Sequence, residues 1–185
     1  KEDILTWEKA DITTLALQLF PARCHAPDSM LSCEGIFLRN RTMEIKALGH
    51  VVLQVSNMER SIGFYADFLG LPICARDGEK MTFFSLGNHH DFAIAALGDD
   101  AERPNSHATG LAHVAFNIGN DMGELLDAKS RLDDAGISYT PIDHEVTKSL
   151  YLQDPDGNGV ELYVDASDAW KEDPQRVAQV MPLEL

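Results

Sequence analysis

From Ala47 onward the chain states one pattern twice, and that repetition constrains its fold more than any other feature. The first pass runs ALGHVVLQV, NMERSIGFYADFLG, and then LPICARD, KMTFFSLG and DFAIAAL. The second runs GLAHVAFNI, NDMGELLDAKSRLDDAG, and then ISYTPID, KSLYLQD and GVELYVD. His50 and His113 stand 63 positions apart, and Met58 and Met122, which open the two central segments, stand 64 apart. A near-constant offset of this kind marks a duplicated supersecondary unit.

Each central segment has helical periodicity. Ile62, Tyr65, Phe68 and Leu69 share a face in the first, and Leu125, Leu126 and Leu132 line the second. Each stops at a glycine, Gly70 or Gly136, as helix C-termini commonly do. The flanking runs are short, rich in Val, Ile, Phe and Tyr, and separated by Gly, Asn and Asp, so they read as strands. The expected fold is α+β, a βαβββ module repeated. One helix cannot cover a four-stranded sheet alone, so the modules must pair, and paired curled sheets leave a concave cavity.

Three strands carry polar residues on one parity. Val51, Leu53 and Val55 form an apolar row opposed by His50, Val52 and Gln54; Val114, Phe116 and Ile118 are opposed by His113, Ala115 and Asn117. Val160, Leu162 and Val164 are opposed by Glu161, Tyr163 and Asp165. A lone strand His or Glu usually faces water. Here the two histidines occupy equivalent positions, so a pseudo-twofold relation between modules would bring them into one cavity. Two imidazoles and a carboxylate with open positions form the facial triad of non-haem Fe(II) oxygenases.

The segment YLQDPDGNGVELYVD admits a competing reading. Asp154, Asp156, Asn158, Gly159 and Asp165 approximate the spacing of a calcium-binding EF-hand loop. That loop requires flanking helices, whereas KSLYLQ and VELYVD alternate as strands, and Pro155 with Gly157 suits a tight turn. Glu161 then becomes the carboxylate of interest.

The formal net charge of −15 argues against partners that need cationic patches, nucleic acid and anionic membrane surfaces. No run approaches the length of a membrane span, and KEDILTWEK is acidic where a signal peptide is basic. Three cysteines without framework spacing point to a reducing cytoplasm; Cys24, His25 and Cys33 fit no common zinc template. Residues 1–42 read as an N-terminal extension with helical character over ILTWEKADITTLALQLF. Residues 43–166 form the repeated domain, with modules at about 47–98 and 110–166, and 167–185 form a C-terminal tail. A homo-oligomer, dimer or higher, is expected.

The combination GHVVLQV, GLAHVAFNI and SLYLQDPDGNGVELY resembles the vicinal oxygen chelate superfamily, over about Glu44 to Asp165. That superfamily includes glyoxalases, fosfomycin-resistance proteins and type I extradiol ring-cleaving dioxygenases. The resemblance implies His50, His113 and Glu161 as metal ligands for Fe(II), with Mn(II) suiting the same donors. A glyoxalase I would add a second Glu near the end of the first module, where this chain has Ala95 and Ala96. A fosfomycin-type enzyme places Thr two residues after the first His, where Val52 stands. The extradiol pattern is matched by His90 in HHDFAIA as acid/base, by Tyr151 ten residues before Glu161, and approximately by His144, at a spacing two residues shorter. The resemblance therefore implies a single-domain extradiol catechol dioxygenase using a catecholic substrate and O2. The alternatives are another metal-dependent lyase, isomerase or thiol transferase of the fold, or a small-molecule-binding resistance protein.

Overall fold

The computed structural model describes residues 43–105 and 107–185. The expected N-terminal helix and the Cys24, His25 and Cys33 group lie outside the described residues. The unit Ile45–Leu185 is compact in itself and contains both modules.

The first module is β1 (Val51–Val55), α1 (Met58–Ile62), a wider helical turn over Gly63–Phe68, and then β2 (Ile73–Asp77), β3 (Met81–Phe84) and β4 (Phe92–Ala96). The second is β5 (Val114–Gly119), α2 (Met122–Asp134), β6 (Tyr139–Asp143), β7 (Thr147–Gln153) and β8 (Gly159–Asp165). The sheets have matching order, β1-β4-β3-β2 and β5-β8-β7-β6. In each, the first strand pairs parallel with the last and the remaining pairings are antiparallel. The chain thus repeats its architecture as it repeats its pattern.

Local chemistry starts both helices. The Asn57 side chain accepts from Arg60 N, and Asp121 with Glu124 forms a reciprocal capping box. Gly70 and Gly136, at φ +82 and +66, provide the left-handed residue that ends each helical segment.

The strand parity holds. Leu53 and Val55 are buried with Phe84, Phe92 and Ile94, and Phe116, Val160, Leu162 and Val164 are buried in the second sheet. The helical residues Ile62, Phe64, Tyr65, Leu125 and Leu132 close over these faces, and both modules contribute to one core. Phe92 meets Phe116 edge to face with ring centroids 5.4 Å apart. At roughly 1.5–3 kcal/mol per buried large apolar side chain, this shared core dominates the stabilisation. On the opposite sheet faces, Val52, Gln54, Ala115 and Asn117 stay exposed.

The DPDGNG turn links β7 to β8, both strands, and pins the second module to the first. Asp154 accepts from the Asp156 and Asn158 backbone N–H groups, from Asn158 Nδ2 and from Tyr65 Oη at 2.9 Å. Asp156 accepts from Ser56 N and Oγ and from Arg60. Asp154 and Asp156 of the EF-hand reading are consumed by turn formation and by this latch, and Asp165 accepts from Asn117 Nδ2 at 2.7 Å.

Residues 167–185 form two 3-10 turns, Ala169–Lys171 and Pro174–Ala178, and a short strand, β9 (Met181–Pro182), that pairs with β6. Among the described residues, no helix is long and apolar enough to cross a membrane.

Candidate metal centre

β5 and β8 run parallel with Ala115 opposite Glu161. His113, one residue before β5, therefore lies beside the carboxylate, with His113 Nε2 3.0 Å from Glu161 Oε2. Gly159 makes this approach feasible. A Cβ there would sit 2.2 Å from the Ala112 carbonyl oxygen and 3.1 Å from His113 Cβ. The other carboxylate oxygen is fixed from β7, where the buried Ser149 hydroxyl donates to Glu161 Oε1 at 2.6 Å. Glu161 is buried, yet each of its oxygens has a polar neighbour.

The donor set suits a divalent ion. His113 Nε2 and Glu161 Oε2, in direct contact at 3.0 Å, would be neighbouring donors to such an ion. Imidazole plus carboxylate accommodates Fe(II) or Mn(II).

Tyr151 lies opposite Glu161 in the β7–β8 ladder. Its ring stands edge-on to His113 with centroids 5.2 Å apart, and its hydroxyl is 2.9 Å from His144 Nε2. Burial, reinforced by the Glu161 charge, pushes the phenol up to about 12, so Tyr151 keeps its proton at neutral pH. A groove of about 560 Å³ adjoins this group, lined by His113, Tyr151, Tyr139, Thr140 and Gln153 among others.

His50 and His90 form a second group on the other sheet. Their ring centroids are 4.2 Å apart, and Phe83 meets the His90 ring edge to face. His89 Nδ1 lies 2.9 Å from His90 Nδ1. Partial desolvation, followed by the neighbouring His50 and His89, lowers the His90 pKa, with Asp91 opposing.

The candidate residues thus fall into two separate groups, His113 with Glu161, Tyr151 and His144, and His50 with His90. Among the described residues, no three His, Cys, Asp or Glu side chains of one chain gather closely enough to hold a metal. The reason is the direction of packing. The modules join through the apolar, helix-covered faces, leaving His50 on the other sheet from His113 and Glu161. Ser149 escaped the sequence reading because a strand serine carries no signal until its cross-strand partner is known.

Residues 47–162 match the family model described as the glyoxalase/bleomycin resistance protein/dioxygenase superfamily. The chain is 38% identical over 118 residues to biphenyl-2,3-diol 1,2-dioxygenase 2 of Rhodococcus globerulus, an alignment covering 63% of this chain and 61% of that protein. It spans about three fifths of that relative's length. It is 31% identical over 121 residues to the metallothiol transferase FosB of Staphylococcus epidermidis, covering 64% of this chain and 84% of that one. A glyoxalase/dioxygenase from Nostoc punctiforme has a similar structure, with TM-score 0.57 at 19% identity over 77% of this chain and all of that chain; this likeness concerns the fold alone.

Proposed function

Because the chain belongs to the glyoxalase/bleomycin resistance protein/dioxygenase superfamily, we propose that it is an extradiol dioxygenase that cleaves a catechol-type ring beside its diol with O2. The observation that carries this reading is the Tyr151–His144 pair, hydrogen-bonded at 2.9 Å beside the His113–Glu161 donors. Thiol transfer has no evident use for that pair. The 38% identity to a diol dioxygenase supports the same direction.

His50, His113 and Glu161 would hold Fe(II), or Mn(II). Such an ion would supply the acidity that ionises the diol and an open site for O2. The protein's own groups then handle protons and orientation. His90, beside His50 and depressed in pKa, accepts a diol proton and returns it later. Tyr151, held by its hydrogen bond to His144, hydrogen-bonds a substrate oxygen, and the groove along β6 and β7 receives the ring. Both atoms of O2 enter a product of the 2-hydroxymuconic-semialdehyde type. The unpaired, exposed Cys74 fits a reducing cytoplasm.

The His50 half-site would come from a second copy of the chain. The exposed His50 and His113 mark the surfaces such a partner would cover, and a twofold pair would form two identical sites. Mixing His50→Ala with Glu161→Ala chains should restore one intact site per mixed dimer. At random pairing, that is about a quarter of wild-type activity; no recovery would refute a site shared between two copies.

Reconstitution with Fe(II) under anaerobic conditions, then exposure to O2 with a panel of catechols including 2,3-dihydroxybiphenyl, tests the reaction. A yellow ring-fission product with one O2 consumed per ring is expected. Full metal loading without O2 uptake, together with transfer of a thiol to an electrophile, would move the protein to the metallothiol transferase chemistry named for its other relative.

A further inference from the structure

The hydrogen-bond chain that ends on Tyr151 begins in the C-terminal segment. Ala166 N and Ser167 N both donate to the Val146 carbonyl, turning the chain back across the hairpin between β6 and β7. Arg176 pairs with Glu145 at the tip of that hairpin, where Glu145 holds φ at +66, a conformation that L residues rarely adopt. β9 then pairs with Ile142 and Asp143, and Leu183 packs against the core. Between these anchors the Gln179 carbonyl oxygen lies 2.7 Å from His144 Nδ1.

We propose that the C-terminal segment, through the Gln179 carbonyl, fixes the tautomer of His144 and thereby makes Tyr151 a hydrogen-bond acceptor toward a bound ligand's hydroxyl. A carbonyl oxygen can only accept, so Nδ1 carries the imidazole proton. Nε2 of the neutral ring is then a lone-pair acceptor, and the 2.9 Å contact with Tyr151 requires the phenol to donate. Tyr151 has one proton, and giving it to His144 leaves its oxygen lone pairs for an incoming donor. The opposite tautomer would donate from Nε2 to the phenol oxygen and release the Tyr151 proton toward its other neighbouring acceptor, Glu161. The segment thus favours a ligand that presents a hydrogen-bond donor, such as a hydroxyl, and keeps the phenol proton off a candidate metal ligand. Naming that ligand as a diol rests on the proposed function; the tautomer does not. Gln179 acts here through its backbone and is a positioning residue.

Long-range proton–nitrogen correlation spectra of the metal-free, full-length, 15N-labelled protein at a pH where His144 is neutral read the tautomer directly. His144 is assigned by loss of its signals in His144→Gln. The expected pattern is a pyrrole-type Nδ1 and a pyridine-type Nε2; the reverse in the full-length chain overturns the proposal. Removing residues 174–185 should shift the pattern toward protonated Nε2, and an unchanged pattern in a folded truncation overturns it. If the truncated chain does not fold, Tyr151→Phe decides the matter. Retention of protonated Nδ1 assigns control to Gln179, and a switch to protonated Nε2 assigns it to Tyr151 and refutes the idea. None of these readings depends on turnover, so inactivity toward catechols would remove the proposed reaction while leaving the tautomer result intact.

Discussion

Glu161 holds the centre of the candidate site by dividing its two oxygens, Oε1 to Ser149 and Oε2 toward His113. Ser149→Ala should free the carboxylate to rotate and weaken metal binding by about 10–100-fold, the usual effect of removing a group that orients a ligand; metal titration of the apoprotein measures it. Gly159→Ala places a methyl group against the Ala112 carbonyl. It should destabilise the domain by roughly 1–3 kcal/mol, seen as a lower urea midpoint, and separate His113 from Glu161. The sequence marked His113 and Glu161 through the repeat and through strand parity. Ser149 and Gly159 were illegible because their roles are contacts across strands, which no local pattern encodes.

The two helical segments arise from one pattern but differ in form. α2 is regular and secured by its capping box; Asp121→Ala should cost about 1 kcal/mol, measurable by chemical denaturation, with little effect on the metal donors. α1 widens instead. Leu69 N donates to the Phe64 carbonyl five residues back, the hydrogen-bond geometry of a π-helical turn, and Leu71 N closes onto the Tyr65 carbonyl six residues back. This widening lets Phe64 and Tyr65, adjacent in sequence, both enter the core at 7% and 0% exposure. Regular helical periodicity selects Tyr65 for the buried face but not Phe64. The segment's existence and its Gly70 terminus were readable in the residues, whereas the widened turn depends on a core supplied by both modules. β9 was equally silent, since two residues have no periodicity and pair only because β6 offers an edge.

The largest-scale feature is the latch between modules. Burial pushes the Asp156 carboxyl up, but the two Ser56 donors and Arg60 outweigh it and hold the group below its ordinary value. A carboxyl depressed in the folded state stabilises that state above its unfolded pKa, about 3.9, and loses the contribution as pH falls through the folded value. Asp156→Asn should therefore lower stability by about 1–3 kcal/mol at neutral pH, and the difference from the unsubstituted protein should narrow below about pH 4. Urea unfolding of both proteins at the two pH values checks the sign. The duplication, the α+β class, the strand parity and the candidate ligands were all determined by the sequence alone, because side-chain alternation, helix caps and glycine stops act over a few residues. Which faces of the two sheets meet was decided only in three dimensions. The buried apolar side chains of both modules form one core under the helices, and that core joins the modules within the chain. That arrangement leaves the candidate metal ligands in two separate groups and gives DPDGNG its role as a latch.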